Sequence, residues 1–118
     1  MNIEQGIKEL RGRGFVFQTV SDESGDLCVL VGTYGWPDCY DRLHIWGEDD
    51  AVAARMVPGF RPGSDDVLWS FEDGALGVIQ ALLDLPAPDQ HGAPRLARRA
   101  PDGLWLPPSV ARASARAG

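Results

Sequence analysis

The chain has 118 residues, 44% of them apolar, and a formal net charge of −6 at neutral pH. That length fits one domain, and no apolar run approaches the ~20 residues that a membrane-spanning helix needs. An acidic balance of this size argues against a body that grips nucleic acid through clustered lysine and arginine, and two cysteines are too few for a disulfide framework.

The charge is split along the chain. Residues 1–90 carry sixteen acidic and six basic side chains, whereas residues 91–118 carry one acidic and five basic. Such asymmetry marks an interaction arm or a tail that docks on its own body. The start, Met1-Asn2-Ile3-Glu4-Gln5-Gly6, lacks the basic opening and apolar core of a secretory signal, so a cytoplasmic location is expected. Arginine outnumbers lysine ten to one, a usage expected of a GC-rich bacterial genome.

Ile3, Ile7 and Leu10 fall at i, i+4 and i+7, one apolar stripe on a helix over 2–11, with Gly12 and Gly14 to stop it. Phe15 to Val20 reads as a strand. After a polar turn, Leu27 to Tyr34 reads as a second strand, apolar on both faces and so interior to its sheet. Gly35-Trp36-Pro37-Asp38 is a turn. Arg42 to Trp46 alternates: Leu43 and Ile45 face the core, and Arg42, His44 and Trp46 face the other way.

Glu48-Asp49-Asp50 before Ala51 to Val57 predicts a second helix with acidic residues at its positive end, closed by Pro58-Gly59. Val67 to Trp69 is a short fourth strand. Ser70 to Asp73 resembles a capping box ahead of a third helix whose apolar stripe is Leu76, Ile79, Leu82 and Leu83, with Val78 at the margin. From Pro86 the composition changes. Leu104-Trp105-Leu106 is one apolar island that can dock back on the body, and residues 109–118 are expected to be mobile.

The expected fold is therefore α+β: a mostly antiparallel four-stranded sheet with about three helices on one face, in the order helix, three strands, helix, strand, helix, and an extended C-terminal arm. The third strand, second helix and fourth strand could form a right-handed crossover. Residues 1–90 form the domain and 91–118 the arm.

No catalytic, cofactor-binding or metal motif stands out. The reactive side chains gather between Trp36 and Asp50. Cys39 and His44, with Asp41 or Asp49, offer mixed zinc ligands at a spacing that matches no zinc pattern. Cys39, His44 and Asp41 or Asp38 could act as nucleophile, base and orienter. Two of Asp38, Asp41 and Glu48 near Trp46 could share acid–base work. The preferred reading is non-enzymatic. Arg42, His44 and Trp46 form an arginine/aromatic face of the kind found at interface hot spots. With Glu48, Asp49 and Asp50 they would bind a protein partner or a second copy of the chain. A small enzyme or metal protein centred on Cys39 and His44 is the alternative. A regulator touching nucleic acid through Arg95, Arg98, Arg99, Arg112 and Arg116 is a second one, disfavoured by the lack of interleaved aromatics. No metal, cofactor or membrane contact is expected.

Overall fold

The computed structural model describes residues 1–61, 64–95 and 98–99. The fold is α+β, with one antiparallel sheet. Helix α1 (Ile3–Gly12) leads into strands β1 (Val16–Ser21), β2 (Leu27–Gly35), β3 (Tyr40–Gly47), β4 (Asp50–Val57) and β5 (Asp66–Asp73). Helix α2 (Ala75–Asp84) follows, and a two-residue strand β6 (Arg98–Arg99) closes the order. The strands form a simple meander, β1-β2-β3-β4-β5-β6, every pair antiparallel. The expected docking of Leu104 to Leu106 and the mobility of 109–118 lie outside the described residues.

Local chemistry explains the elements. Asn2 caps α1 reciprocally with Gln5, its side chain accepting from Gln5 N at 2.8 Å and its own N–H donating to Gln5 Oε1 at 3.0 Å. The β1–β2 turn is held by Asp22 Oδ1, which accepts from Ser24 N and Asp26 N at 2.9 Å each. Gly25 there sits at φ +87°, where a side chain would be strained.

Four expectations are corrected. Ala51 to Val57 is strand β4, not a helix, so the sheet has five long strands, two helices flank it among the described residues, and no crossover joins β3 to β5. Alanine favours a helix in isolation, but β4 is central and buried on both faces, where small residues admit α2 on one side. Ala51, Ala53 and Leu43 thus meet Val78, Ile79 and Leu82. Glu48 and Asp49 accordingly form a hairpin turn rather than a helix start. Ser70 to Asp73 belongs to β5, and α2 begins at Gly74 with no side-chain cap. Its buried stripe is Ala75, Val78, Ile79, Leu82 and Leu83, while Leu76 is 39% exposed.

Both helices lie on one face. Their core joins Leu10 of α1 and the α2 stripe to Phe15, Leu43, Ala51 and Ala53. A second apolar cluster, Val52, Ala54, Met56 and Val67, lies on the opposite face with Tyr40 and Trp46 against it. Arg55 and Met56 alternate between the faces, and a bulge at Leu68 of β5 keeps the pairing in step, so Trp69 joins Arg55 on the helix face and Val67 joins Met56 on the other. On the helix face, the ring of Phe17 lies over its cross-strand partner Gly32.

The helices run parallel. Residues 1–4 of the α1 end and 74–77 of the α2 end line one groove, while Arg13 beyond α1 donates to Leu83 O near the end of α2 at 2.8 Å. They touch closely at Gly6, where a Cβ would lie 2.6 Å from Ile79 Cγ2. Gly6→Val is therefore expected to lower stability by about 1–3 kcal/mol through overpacking, measured by urea unfolding. A wild-type midpoint would disprove the close helix contact.

Candidate functional site

Strand β3 divides the chemistry of Trp36 to Asp50 between the two faces of the sheet. Asp41 faces the helices, beside its cross-strand partner Arg55 on β4. Arg55 Nε donates to Asp41 Oδ1 at 2.7 Å and Arg55 Nη2 to Asp41 Oδ2 at 3.0 Å. Arg55 Nη1 donates to the Pro86 carbonyl at 2.6 Å, just past α2. Trp36 Nε1 donates to Asp41 Oδ2 at 2.9 Å and its ring faces the Arg55 guanidinium at 5.6 Å. Arg55 is 1% exposed, a burial that a charged side chain tolerates only when paired and hydrogen-bonded.

This network was not anticipated. Asp41 falls on the apolar side of the alternation that places Leu43 and Ile45 on the core, and Arg55 is the lone charge in an apolar run. Those signals mark each residue as buried, but neither names the other as its partner. Beside it lies a cavity of about 190 Å³, walled by Phe15, Tyr34, Trp36, Leu82, Leu85 and Gln90, among others. The polar groups at its floor are already engaged with one another and with the Pro86 carbonyl.

Arg42, His44 and Trp46 share the opposite face, as their alternation requires. Of the three, His44 is buried, whereas Arg42 and Trp46 are half-buried. His44 is 2% exposed, and its imidazole meets the Trp46 ring edge-on at 5.4 Å. The Arg42 guanidinium lies over Tyr40 at 4.8 Å, and Tyr40 donates its hydroxyl to Asp65. Burial and that acceptor push the Tyr40 pKa up to about 12. Burial first, and the Arg42 charge second, pull the His44 pKa down to about 4.

Cys39 and His44 are not brought together. Cys39 is buried, its thiol pushed up by burial, and its charged neighbours are Arg55, Asp41 and Asp38. Arg55 and Asp41 sit on the helix side, whereas His44 and its neighbour Arg42 face away. Both cysteines are free thiols. Among the described residues no three His, Cys, Asp or Glu side chains gather as a metal site.

The acidic residues lie at one end of the sheet. Glu48 and Asp49 form the tip of the β3–β4 hairpin, and Asp50 pairs with Gly47. The tip is pinned to α2, because Ala75 N donates to Glu48 O at 2.8 Å. Since the helices are parallel, both positive helix ends point here, and Glu4, Glu48, Asp49 and Asp73 answer them. These four carboxylates, with the exposed Met1 and Leu76, line a groove of about 550 Å³. A second groove of about 430 Å³ is mostly apolar and runs beside Ile3, Ile7, Val29, Leu30, Ile45 and Trp46. The two meet at Ile3 and Glu48.

Two outcomes follow. Asp41→Ala leaves the Arg55 charge buried and should cost about 3–5 kcal/mol, much of it recovered in the apolar double variant Asp41→Leu/Arg55→Met. Denaturant unfolding reads both, and a single variant as stable as wild type would refute a buried pair. Second, the imidazole is neutral in the fold down to about pH 4, but near 6.5 in the unfolded chain. Between those values the unfolded chain binds the extra proton. Stability is therefore full above pH ~6.5 and falls by on the order of 3 kcal/mol as the pH drops toward 4, with no further change from this group below that. His44→Phe should flatten this acid limb, and an unchanged limb would contradict it.

No helix among the described residues is long and apolar enough to cross a membrane. Compared with known protein families, curated proteins and solved structures, the chain matches none, so the geometry alone carries its functional reading.

Proposed function

We propose that the chain is a non-enzymatic protein-interaction module of a bacterial cytoplasm, binding a basic protein segment at the β3–β4 hairpin end of its sheet. The observation that carries this reading is the junction of two grooves at Ile3 and Glu48, one rimmed by four carboxylates and one walled by apolar side chains including Trp46. An apolar centre with a charged rim is how protein interfaces divide their work. The apolar groove offers area to an anchoring side chain, and the rim selects lysine and arginine beside it.

This narrows the surface expected from the sequence. Trp46, Glu48 and Asp49 border the two grooves, and Asp50 adjoins them at the base of the hairpin. Arg42, half-buried, and His44, buried, lie further along the same face of β3 and line neither groove.

The test starts with capture of partners by the full chain and by a Glu48→Lys/Asp49→Lys variant. The captured basic protein is then titrated against both by calorimetry. At low salt the variant should bind at least about tenfold more weakly, equivalent to about 1.4 kcal/mol, and the wild-type affinity should fall as salt rises. Equal affinity of the two proteins would remove the acidic rim from the interface. Matching far-ultraviolet dichroism and urea midpoints would separate lost binding from lost folding, since the same carboxylates also face the helix ends.

A further inference from the structure

We infer that the β1 edge of the sheet pairs antiparallel with the β1 edge of a second copy of the chain, making one continuous two-fold sheet. This surface is separate from the two grooves at the hairpin end and does not depend on the partner reading above.

The two sides of the sheet are protected differently. On one side β5 carries Asp66, Glu72 and Asp73 and is partly covered by β6. Charges and a covering strand keep an edge from pairing with another chain. On the other side β1 pairs with β2 alone among the described residues. Its six residues, Val16-Phe17-Gln18-Thr19-Val20-Ser21, include no charge, proline or glycine. Val16 is 71% exposed, and Gln18 and Thr19 are exposed as well. The ladder is regular from Val16 to Val20, and the extra residue beyond it, Cys28, belongs to β2, so no bulge on β1 turns the edge away. Such an edge offers its outward N–H and C=O groups as a template for another strand.

Charge along that edge selects the occupant. Arg11 and Arg13 lie just before the start of β1, and the Arg11 guanidinium sits over the Phe17 ring at 5.4 Å. Asp22, Glu23 and Asp26 form the exposed turn after its end. The edge is therefore positive at its start and negative at its end. An antiparallel second copy sets each positive end against a negative one, whereas a parallel copy would set like against like. A two-fold pair of this kind is self-complementary and closes on itself.

The register follows from the side chains. Residues directly opposite each other in an antiparallel pair share a face, so the two-fold axis passes through a residue rather than between two. Centred on Gln18, the pair sets Val16 opposite Val20 of the second copy, Phe17 opposite its Thr19 and Gln18 opposite its Gln18. Centring it one residue to either side would oppose Val16 to Asp22 or Val20 to Gly14. Gln18 is therefore the position at which each copy meets itself.

The test uses the intact chain at low salt. A short strand-to-strand interface is weak, so light scattering is followed up to about 0.5 mM, where the mass should approach that of a dimer. In a mixture of differently labelled copies, nuclear Overhauser effects should link the Val16 methyl groups of one copy to the Val20 methyl groups of the other. Gln18→Lys and Gln18→Glu each place like charges directly opposite and should raise the dimer dissociation constant about threefold or more. An equimolar mixture of the two variants should restore at least the wild-type affinity. A mass that stays monomeric at the highest concentration would overturn the proposal. So would intermolecular cross-peaks confined to the hairpin grooves, which would place self-association there, or a Gln18→Lys variant with a wild-type urea midpoint that dimerises as well as wild type.

Discussion

The buried pair of Asp41 and Arg55 is the constraint on which the rest of the molecule turns. It ties β3 to β4 across the centre of the sheet and reaches both to the Trp36 turn and to the Pro86 carbonyl. A buried ion pair contributes little net stability compared with apolar packing, because desolvation offsets most of the attraction. Its effect here is on specificity. A one-residue slip of β4 against β3 would leave a guanidinium and a carboxylate unpaired on opposite faces, so only one register satisfies both. The same guanidinium fixes how the chain leaves α2.

That register places everything else. With β3 and β4 locked, Leu43, Ala51 and Ala53 lie under α2, and the close contact of Gly6 with Ile79 sets α1 beside it. The parallel run of the two helices follows, and it gathers two positive helix ends at the β3–β4 hairpin. The acidic tip thus has a local electrostatic reason to exist, and it also rims the groove at the hairpin end.

The two faces of β3 use the same side-chain types to different ends. On the helix face a charge is kept buried because each of its donors finds a partner. On the other face His44 is kept neutral by burial and by the neighbouring Arg42, with the Trp46 ring edge-on to its imidazole. Placing Cys39 beside the first network and His44 in the second separates the two residues that a nucleophilic or metal site would have to join.

Much was legible in the sequence. The apolar stripe of Ile3, Ile7 and Leu10, the alternation through Arg42 to Trp46 and the breaks at Gly35 to Asp38 and at Pro86 determined α1, the three leading strands and the end of α2, because period and turn chemistry are local properties. The division of β3 into two faces was readable for the same reason. Tertiary structure alone decided that Ala51 to Val57 is a strand. Alanine-rich sequence favours a helix until neighbours on both edges and both faces claim it, and those neighbours come from β3, β5 and α2. The pairing of Asp41 with Arg55, the gathering of Glu4, Glu48, Asp49 and Asp73 at one end, and the separation of Cys39 from His44 were likewise set by strand register. Register depends on contacts between residues far apart in the chain, and no local pattern records it.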